Sequence, residues 1–167
     1  MLILLEGPDR TGKTTLAKHL AEVFSLNYIH CSKPKTDDPF KEYIGLLDSI
    51  KEPTVLDRGH LGEYVYSKLW RGGQSLSNSQ FAILDKKFMS KFDYTLVIHC
   101  DAAESVIRER CIKCGEDLLD LKDIQRCRDL FDHVLSSTLI NRIYYPSDKQ
   151  RPEDISKKMC EEMKWKC

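Results

Sequence analysis

Gly7-Pro8-Asp9-Arg10-Thr11-Gly12-Lys13-Thr14 is the stretch on which the fold turns. It satisfies G-x-x-x-x-G-K-[ST] at every fixed position. Gly7 and Gly12 let the backbone turn tightly, so that successive N–H groups point inward at phosphate oxygens. In such a loop the lysine, here Lys13, reaches the β- and γ-phosphates, and the hydroxyl, here that of Thr14, is placed to bind Mg²⁺. The flanks supply the context that this chemistry needs. Residues 2–5 are continuously apolar and predict a short buried strand running into the turn. Leu16, Ala17, Leu20, Ala21, Val23 and Phe24 recur at helical spacing over 14–24. A helix that starts at the loop offers its unpaired amides to the same anion. The pattern implies binding of the phosphates of a nucleoside triphosphate, with Gly7, Asp9, Thr11, Gly12, Lys13, Thr14 and Thr15 as the contact residues.

Further strands are predicted at 27–31, 53–57, 94–100 and 139–145. Further helices are predicted at 40–50, 61–69, 78–92, 102–111 and 122–135, and from 152 onward. Residues 32–39 are polar with two prolines and read as a loop, Arg71-Gly72-Gly73-Gln74-Ser75 as a turn, and 113–117 as a polar break. Pro152 suits the first position of the last helix, and Glu153 and Asp154 suit its dipole. Strands and helices alternate, which implies right-handed crossovers and an α/β fold. Its core is a five-stranded parallel sheet with helices on both faces. No repeat, low-complexity tract or linker divides the 167 residues, so 1–167 read as a single domain.

Lys plus Arg and Asp plus Glu both number 26, so the net charge is zero and exerts no general pull on nucleic acid or anionic membrane. The apolar runs are too short to cross a bilayer. The N-terminus lacks the charged n-region and cleavage site of a signal peptide. A cytoplasmic protein is expected, with its seven cysteines as free thiols.

Thr54-Val55-Leu56-Asp57 reads as a strand with an acid at its C-terminal end. In a parallel sheet that end lies on the same edge as the phosphate loop. Asp57 is therefore a candidate Mg²⁺ ligand, directly or through water, beside Thr14. Arg58 follows at once and is suited to clamp a second phosphate. The plainer reading is a turn-capping Asp with a solvated Arg.

Glu6-Gly-Pro-Asp-Arg-Thr-Gly-Lys-Thr-Thr15 resembles the opening of thymidylate kinases, E-G-x-D-[RG]-x-G-K-[ST]-T, and Asp57-Arg58 resembles their D-R-[YH]. Tyr66 to Ile98 is similar to the bacterial layout of the family, and Pro152-Glu-Asp-Ile155 to the start of its last helix. The resemblance implies a three-layer P-loop kinase domain that uses ATP and Mg²⁺ to phosphorylate a deoxynucleoside monophosphate. It gives Asp9 the acceptor sugar and Arg58 the acceptor phosphate. Arg10 becomes a cationic finger on the transferring phosphoryl group. Arg108, Arg110 and Lys113 belong to a basic lid, about residues 108–120, that closes over the donor. The catalytic set is then Lys13, Arg10, Asp57 and Arg58. The family often forms homodimers. The chain departs from the family after its second strand: R-E-P-G-G-T is replaced by His30-Cys-Ser-Lys-Pro34, and 32–51 holds one modest helix without Arg. Phe40 or Tyr43 would have to stack on the base, and Lys33 or Lys35 would have to replace the missing Arg.

Other residues admit two readings. Cys111-Ile-Lys-Cys114 has zinc-site spacing but no second pair at suitable distance. His60 is either a substrate contact or a satisfied structural histidine. Trp70 with Arg71 forms either a stacking wall at the substrate or a plug at a helix end. Two further functions compete with the monophosphate kinase. One is a P-loop kinase acting on a free nucleoside or on a hydroxyl of DNA or RNA, which the short 32–51 segment would admit and the neutral charge disfavours. The other is a non-catalytic nucleotide switch, which would have no use for Arg10 inside the loop.

Overall fold

The structure is a computed structural model that describes residues 1–73, 75–114 and 120–163. Its elements follow in chain order. They are β1 (Leu2–Glu6), α1 (Lys13–Val23), β2 (Asn27–His30), α2 (Pro39–Ser49), β3 (Thr54–Asp57) and α3 (His60–Trp70). Then come α4 (Asn78–Met89), β4 (Thr95–Asp101), α5 (Glu104–Cys114), α6 (Ile124–Ser137), β5 (Arg142–Pro146) and α7 (Pro152–Met163). The strands form one parallel sheet in the order β2-β3-β1-β4-β5.

β1 lies at the centre, and all five of its residues are buried. Parallel strands covered on both faces carry apolar residues at consecutive positions, because neither face meets water. Ile3 and Leu5 face one core with Leu16 and Leu20 of α1 and Ile155 and Met159 of α7. Leu2 and Leu4 face the other, with Leu47 of α2, Leu61 and Val65 of α3, Leu84 and Phe88 of α4, Ile107 of α5 and Phe131 of α6. Two helices start on local caps. Asp38 caps α2 by accepting from the Lys41 amide, with Pro39 in the first turn. Ser77 and Gln80 close a capping box on α4.

The expected fold is present, with shifts at its edges. β5 starts at Arg142 instead of 139. Asp85 of α4 accepts hydrogen bonds from Thr138 Oγ1 at 2.7 Å and the Leu139 amide at 2.9 Å, which holds that segment off the sheet. Residues 113 and 114, expected in a polar break, continue α5 instead. The break's remainder and residues 115–119 of the proposed lid lie outside the described residues. Cys31, Cys100, Cys111, Cys114 and Cys127 are not disulfide-bonded. Cys160 is disulfide-bonded, which corrects the expectation of free thiols throughout, since a compartment argument says nothing about two particular thiols meeting. Among the described residues no group of His, Cys, Asp and Glu is placed to hold a metal by itself, Cys111 and Cys114 included. No described helix is long and apolar enough to cross a membrane.

Phe88 is fully buried between α4 and the sheet. Phe88→Ala is expected to cost about 3–5 kcal/mol, the usual effect of emptying a buried aromatic site. Urea unfolding should show the midpoint falling while the slope holds.

Candidate active site

The loop between β1 and α1 is set by sterics. Gly7 has φ 145°, and a Cβ there would stand 1.9 Å from the Cys100 carbonyl oxygen, so only glycine lets the loop pass over β4. Gly12 has φ 81° and begins α1 without a side-chain cap, leaving the first-turn amides available to an anion. Arg10 also adopts a left-handed conformation, at φ 65°. The Thr11 hydroxyl ties the loop to itself by donating to the Pro8 carbonyl at 2.7 Å. Lys13 folds inward and donates to the carbonyls of Gly7 and Pro8 at 2.9 and 2.6 Å. Burial pushes its pKa down, although Asp9, 3.9 Å away, pulls the other way.

Parallel pairing sets Leu5 opposite Asp57, which brings the end of β3 to this loop. Asp57 Oδ2 accepts three hydrogen bonds: from Thr14 Oγ1 at 2.6 Å, Tyr28 OH at 3.0 Å and His30 Nδ1 at 3.0 Å. Burial pushes its pKa up, but the bonds from Thr14, His30 and Tyr28 outweigh burial, and the net shift is down. Asp57 Oδ1 is buried and has no hydrogen-bond partner among the described residues. An ionised carboxylate with a spare buried oxygen, joined to a hydroxyl, is a donor set that suits Mg²⁺. Tyr28 and His30 were not identified as site residues by sequence. Their signal is positional: they lie two apart on one face of β2, with His30 opposite Asp57.

Asp9 and Arg58 form a bridge beside the loop. Arg58 Nη2 donates to Asp9 Oδ1 at 2.6 Å, and Tyr66 OH donates to the same oxygen at 3.1 Å. Asp9 Oδ2 is buried without a partner among the described residues. Tyr66 stacks on Trp70 with centroids 5.0 Å apart, and the Arg58 guanidinium lies 6.0 Å from the Tyr66 centroid.

Two cavities meet at Arg58, which lines both. The first, about 440 Å³, lies over the phosphate loop. Arg10, Lys13, Thr14, Thr15, Arg110 and Ser147 line it. Arg110 is held there by its bonds to the Arg10 carbonyl and Ser147 Oγ, both at 2.9 Å. The second, about 240 Å³, has Tyr43, Tyr66 and Trp70 as aromatic walls, with Lys33, Pro34 and the Glu63–Arg71 pair also in its lining. Glu63 is 4% exposed. It accepts from Arg71 Nη2 at 2.7 Å and from Ser75 Oγ at 2.5 Å. Sequence reading missed Glu63, Tyr66 and Ser147. Gly62, Glu63, Tyr66 and Trp70 recur at helical spacing along α3, which is the signal for Glu63 and Tyr66; Ser147, just after β5, has none.

Three expected site residues stand elsewhere. His60 is 3% exposed, bonded to Asp85 Oδ1 at 2.8 Å and packed among Tyr43, Phe81 and Phe88, so it takes its structural reading. Phe40, in the first turn of α2, packs against the core and lines neither cavity. Arg108 turns away from the phosphate loop to bond Glu104 Oε1 at 2.7 Å and the Leu121 carbonyl at 3.1 Å. Arg108 and Arg110 lie two apart on a helix and therefore point in different directions.

No model of a known protein family matches this chain. Among known proteins, the SPbeta prophage-derived uncharacterized protein YorR of Bacillus subtilis (strain 168) is 26% identical over 161 residues, spanning 93% of this chain and 94% of YorR. The crystal structure of YorR in complex with phosphorylated GDP superposes with a TM-score of 0.83 at 23% identity, covering 98% of this chain and 96% of that one. Deoxyadenosine kinase from M. mycoides with bound dATP gives a TM-score of 0.65 at 11% identity, covering 98% of this chain and all of that one (100%). The same kinase with dCMP and a flexible dCDP gives 0.62 at 15% identity, covering 95% and 98%. These likenesses establish the fold: a five-stranded parallel sheet between helices, arranged as in P-loop kinases.

Proposed function

We propose that the chain is a single-domain P-loop kinase that transfers a phosphoryl group from ATP to a deoxynucleoside monophosphate. The observation that carries this reading is the placement of Arg58, which lines both the phosphate-loop cavity and the aromatic cavity beside it. Two nucleotides held in those cavities would meet at a guanidinium, which suits a phosphate held between them. Phosphoryl transfer asks for positioning and positive charge more than for covalent chemistry. Lys13, the α1 amides and Arg110 would hold the donor phosphates. Arg10, inside the loop, would neutralise charge on the transferring group. Tyr66 and Trp70 would stack on the acceptor, Asp9 Oδ2 would accept from its sugar, and Lys33, in the same lining, would meet its charge. Thr14 and Asp57 would hold Mg²⁺, which supplies charge neutralisation at the phosphates. Thymidylate is the acceptor favoured by the sequence resemblance.

A free-nucleoside acceptor is the second reading. The unpartnered oxygen of Asp9, beside Arg58, favours it, because a hydroxyl acceptor needs a nearby carboxylate to take its proton. The deoxyadenosine kinase likeness is consistent with it.

Radiolabelled ATP offered with nucleosides, nucleoside monophosphates and single-stranded DNA separates the readings. Label is expected on a monophosphate. Label on nucleosides alone would favour the second reading, label on DNA alone would reject both, and tight ATP binding without any transfer would leave a switch. Lys13→Ala should abolish turnover. Arg10→Ala should lower kcat on the order of 10³-fold, the effect of losing a phosphoryl-stabilising arginine. A near-normal kcat in Arg10→Ala would remove it from the finger role.

A further inference from the structure

Glu6, the last residue of β1, is fully buried and belongs to none of the contacts described above. Its Oε1 accepts a hydrogen bond from the Gly62 amide at 3.0 Å, and its Oε2 has no partner among the described residues. Gly62 lies in the first turn of α3, whose cap residue Gly59 supplies no side-chain cap. The carboxylate thus stands where a helix normally draws on its own capping side chain, at the positive end of the helix dipole. The chain has made room for it. A Cβ on Gly62 would lie 2.7 Å from Glu6 Oε2, and a Cβ on Gly59 would lie 3.5 Å from Oε1 and 2.8 Å from Leu4 Cδ1. The same helix carries Glu63, Tyr66 and Trp70 into the aromatic cavity.

We propose that Glu6 is the positioning residue of the acceptor wall: its carboxylate, rooted where the phosphate loop begins, caps α3 and sets Glu63, Tyr66 and Trp70 in register with that loop. The inference rests on the aromatic cavity being the acceptor site, but the link between Glu6 and α3 can be read without any transfer. Among the described residues, five groups feel the charge of this carboxylate. They are Lys13 of α1, Arg58 of the β3–α3 turn, Cys31 after β2, Tyr43 of α2 and Cys100 of β4. Burial raises the thiols and the phenol, which stay protonated at neutral pH. Burial pushes Glu6 up to about 7, against the Gly62 amide, Lys13, Arg58 and the Gly59 amide. The cap therefore gains its charge as pH rises through neutrality. The same raised pKa gives a stability contribution that is lost as pH rises from about 4.5 to about 7, because the folded chain keeps a proton that the unfolded chain has released.

The chain has two tryptophans, so Trp165→Phe leaves Trp70 as the only one. In that background Trp70 emission should change with a midpoint near pH 7, and Glu6→Gln should abolish the transition. With dTMP, dAMP, dGMP and dCMP as acceptors, KM should fall as pH rises through the same midpoint. Glu6→Gln should raise acceptor KM about tenfold above neutrality and leave ATP KM within about twofold, a split expected of an interaction that aligns one substrate only. Gly62→Ala keeps the carboxylate but crowds its oxygen, and should give the same split. Glu6→Gln should also flatten the pH dependence of thermal stability, so its weaker acceptor binding would not follow from unfolding. A Trp70 transition that survives in Glu6→Gln, or ATP KM rising in step with acceptor KM, would overturn the proposal. Transfer to none of the four would count against the kinase reading alone, with the fluorescence result still deciding the role of Glu6.

Discussion

Thr14 donates to Asp57 across 2.6 Å, and that hydrogen bond joins two parts of the chain 43 residues apart. It exists because β1 and β3 pair in parallel with Leu5 opposite Asp57, so both strands release their chains on the same edge of the sheet. The loop after β1 then turns to the face covered by α1, and the loop after β3 turns to the face covered by α3. Chains that diverge from neighbouring strands leave a crevice, the usual place for a ligand in an open α/β sheet. Both cavities open there, and Arg58 stands between them.

The electrostatics of the crevice follow from burial more than from net charge, which is zero for the whole chain. Lys13 is pushed down and Glu6 up for the same reason, the cost of charge in a poorly hydrated interior. Asp57 escapes because three donors converge on one oxygen. Asp9 is held by Arg58 and Tyr66. Buried oxygens of Glu6, Asp9 and Asp57 remain without partners among the described residues, and polar atoms in that condition are uncommon in folded proteins. Asp57 and Asp9 line neither cavity, but each bonds a residue that does, Thr14 in one case and Arg58 in the other. At Glu6 the orphan oxygen lies behind the helix that forms the wall.

Much of the fold was legible because its signals are local. A continuous apolar strand, a glycine loop and a helical apolar stripe are each written within about a dozen residues. The loop residues and Asp57-Arg58 were legible for the same reason. Tyr28, His30, Glu63 and Ser147 were not, because each reaches the crevice only through strand register or helix phase. His60 shows the opposite failure. It sits in a suggestive tetrapeptide, Asp57-Arg58-Gly59-His60, yet Asp85 from α4 draws it into the core. Arg108 and Arg110 look equivalent in sequence, and their helical phase separates them. β5 begins late because Asp85 captures the chain just before it.

The sequence by itself determined the alternation of strands and helices, the phosphate loop and the acid at the end of β3. Those features depend on steric limits and periodicity that act between near neighbours. Only the tertiary structure decided which cations face the phosphate loop, which aromatic rings wall the second cavity and which carboxylate caps α3. Such choices depend on the register of parallel strands and on helix rotation, which set side chains from distant segments within hydrogen-bonding reach of one another. Glu6 belongs to both descriptions. Its position beside Gly7 was plain in the sequence, and its partner, the Gly62 amide, was visible only once β1 and α3 had been brought together.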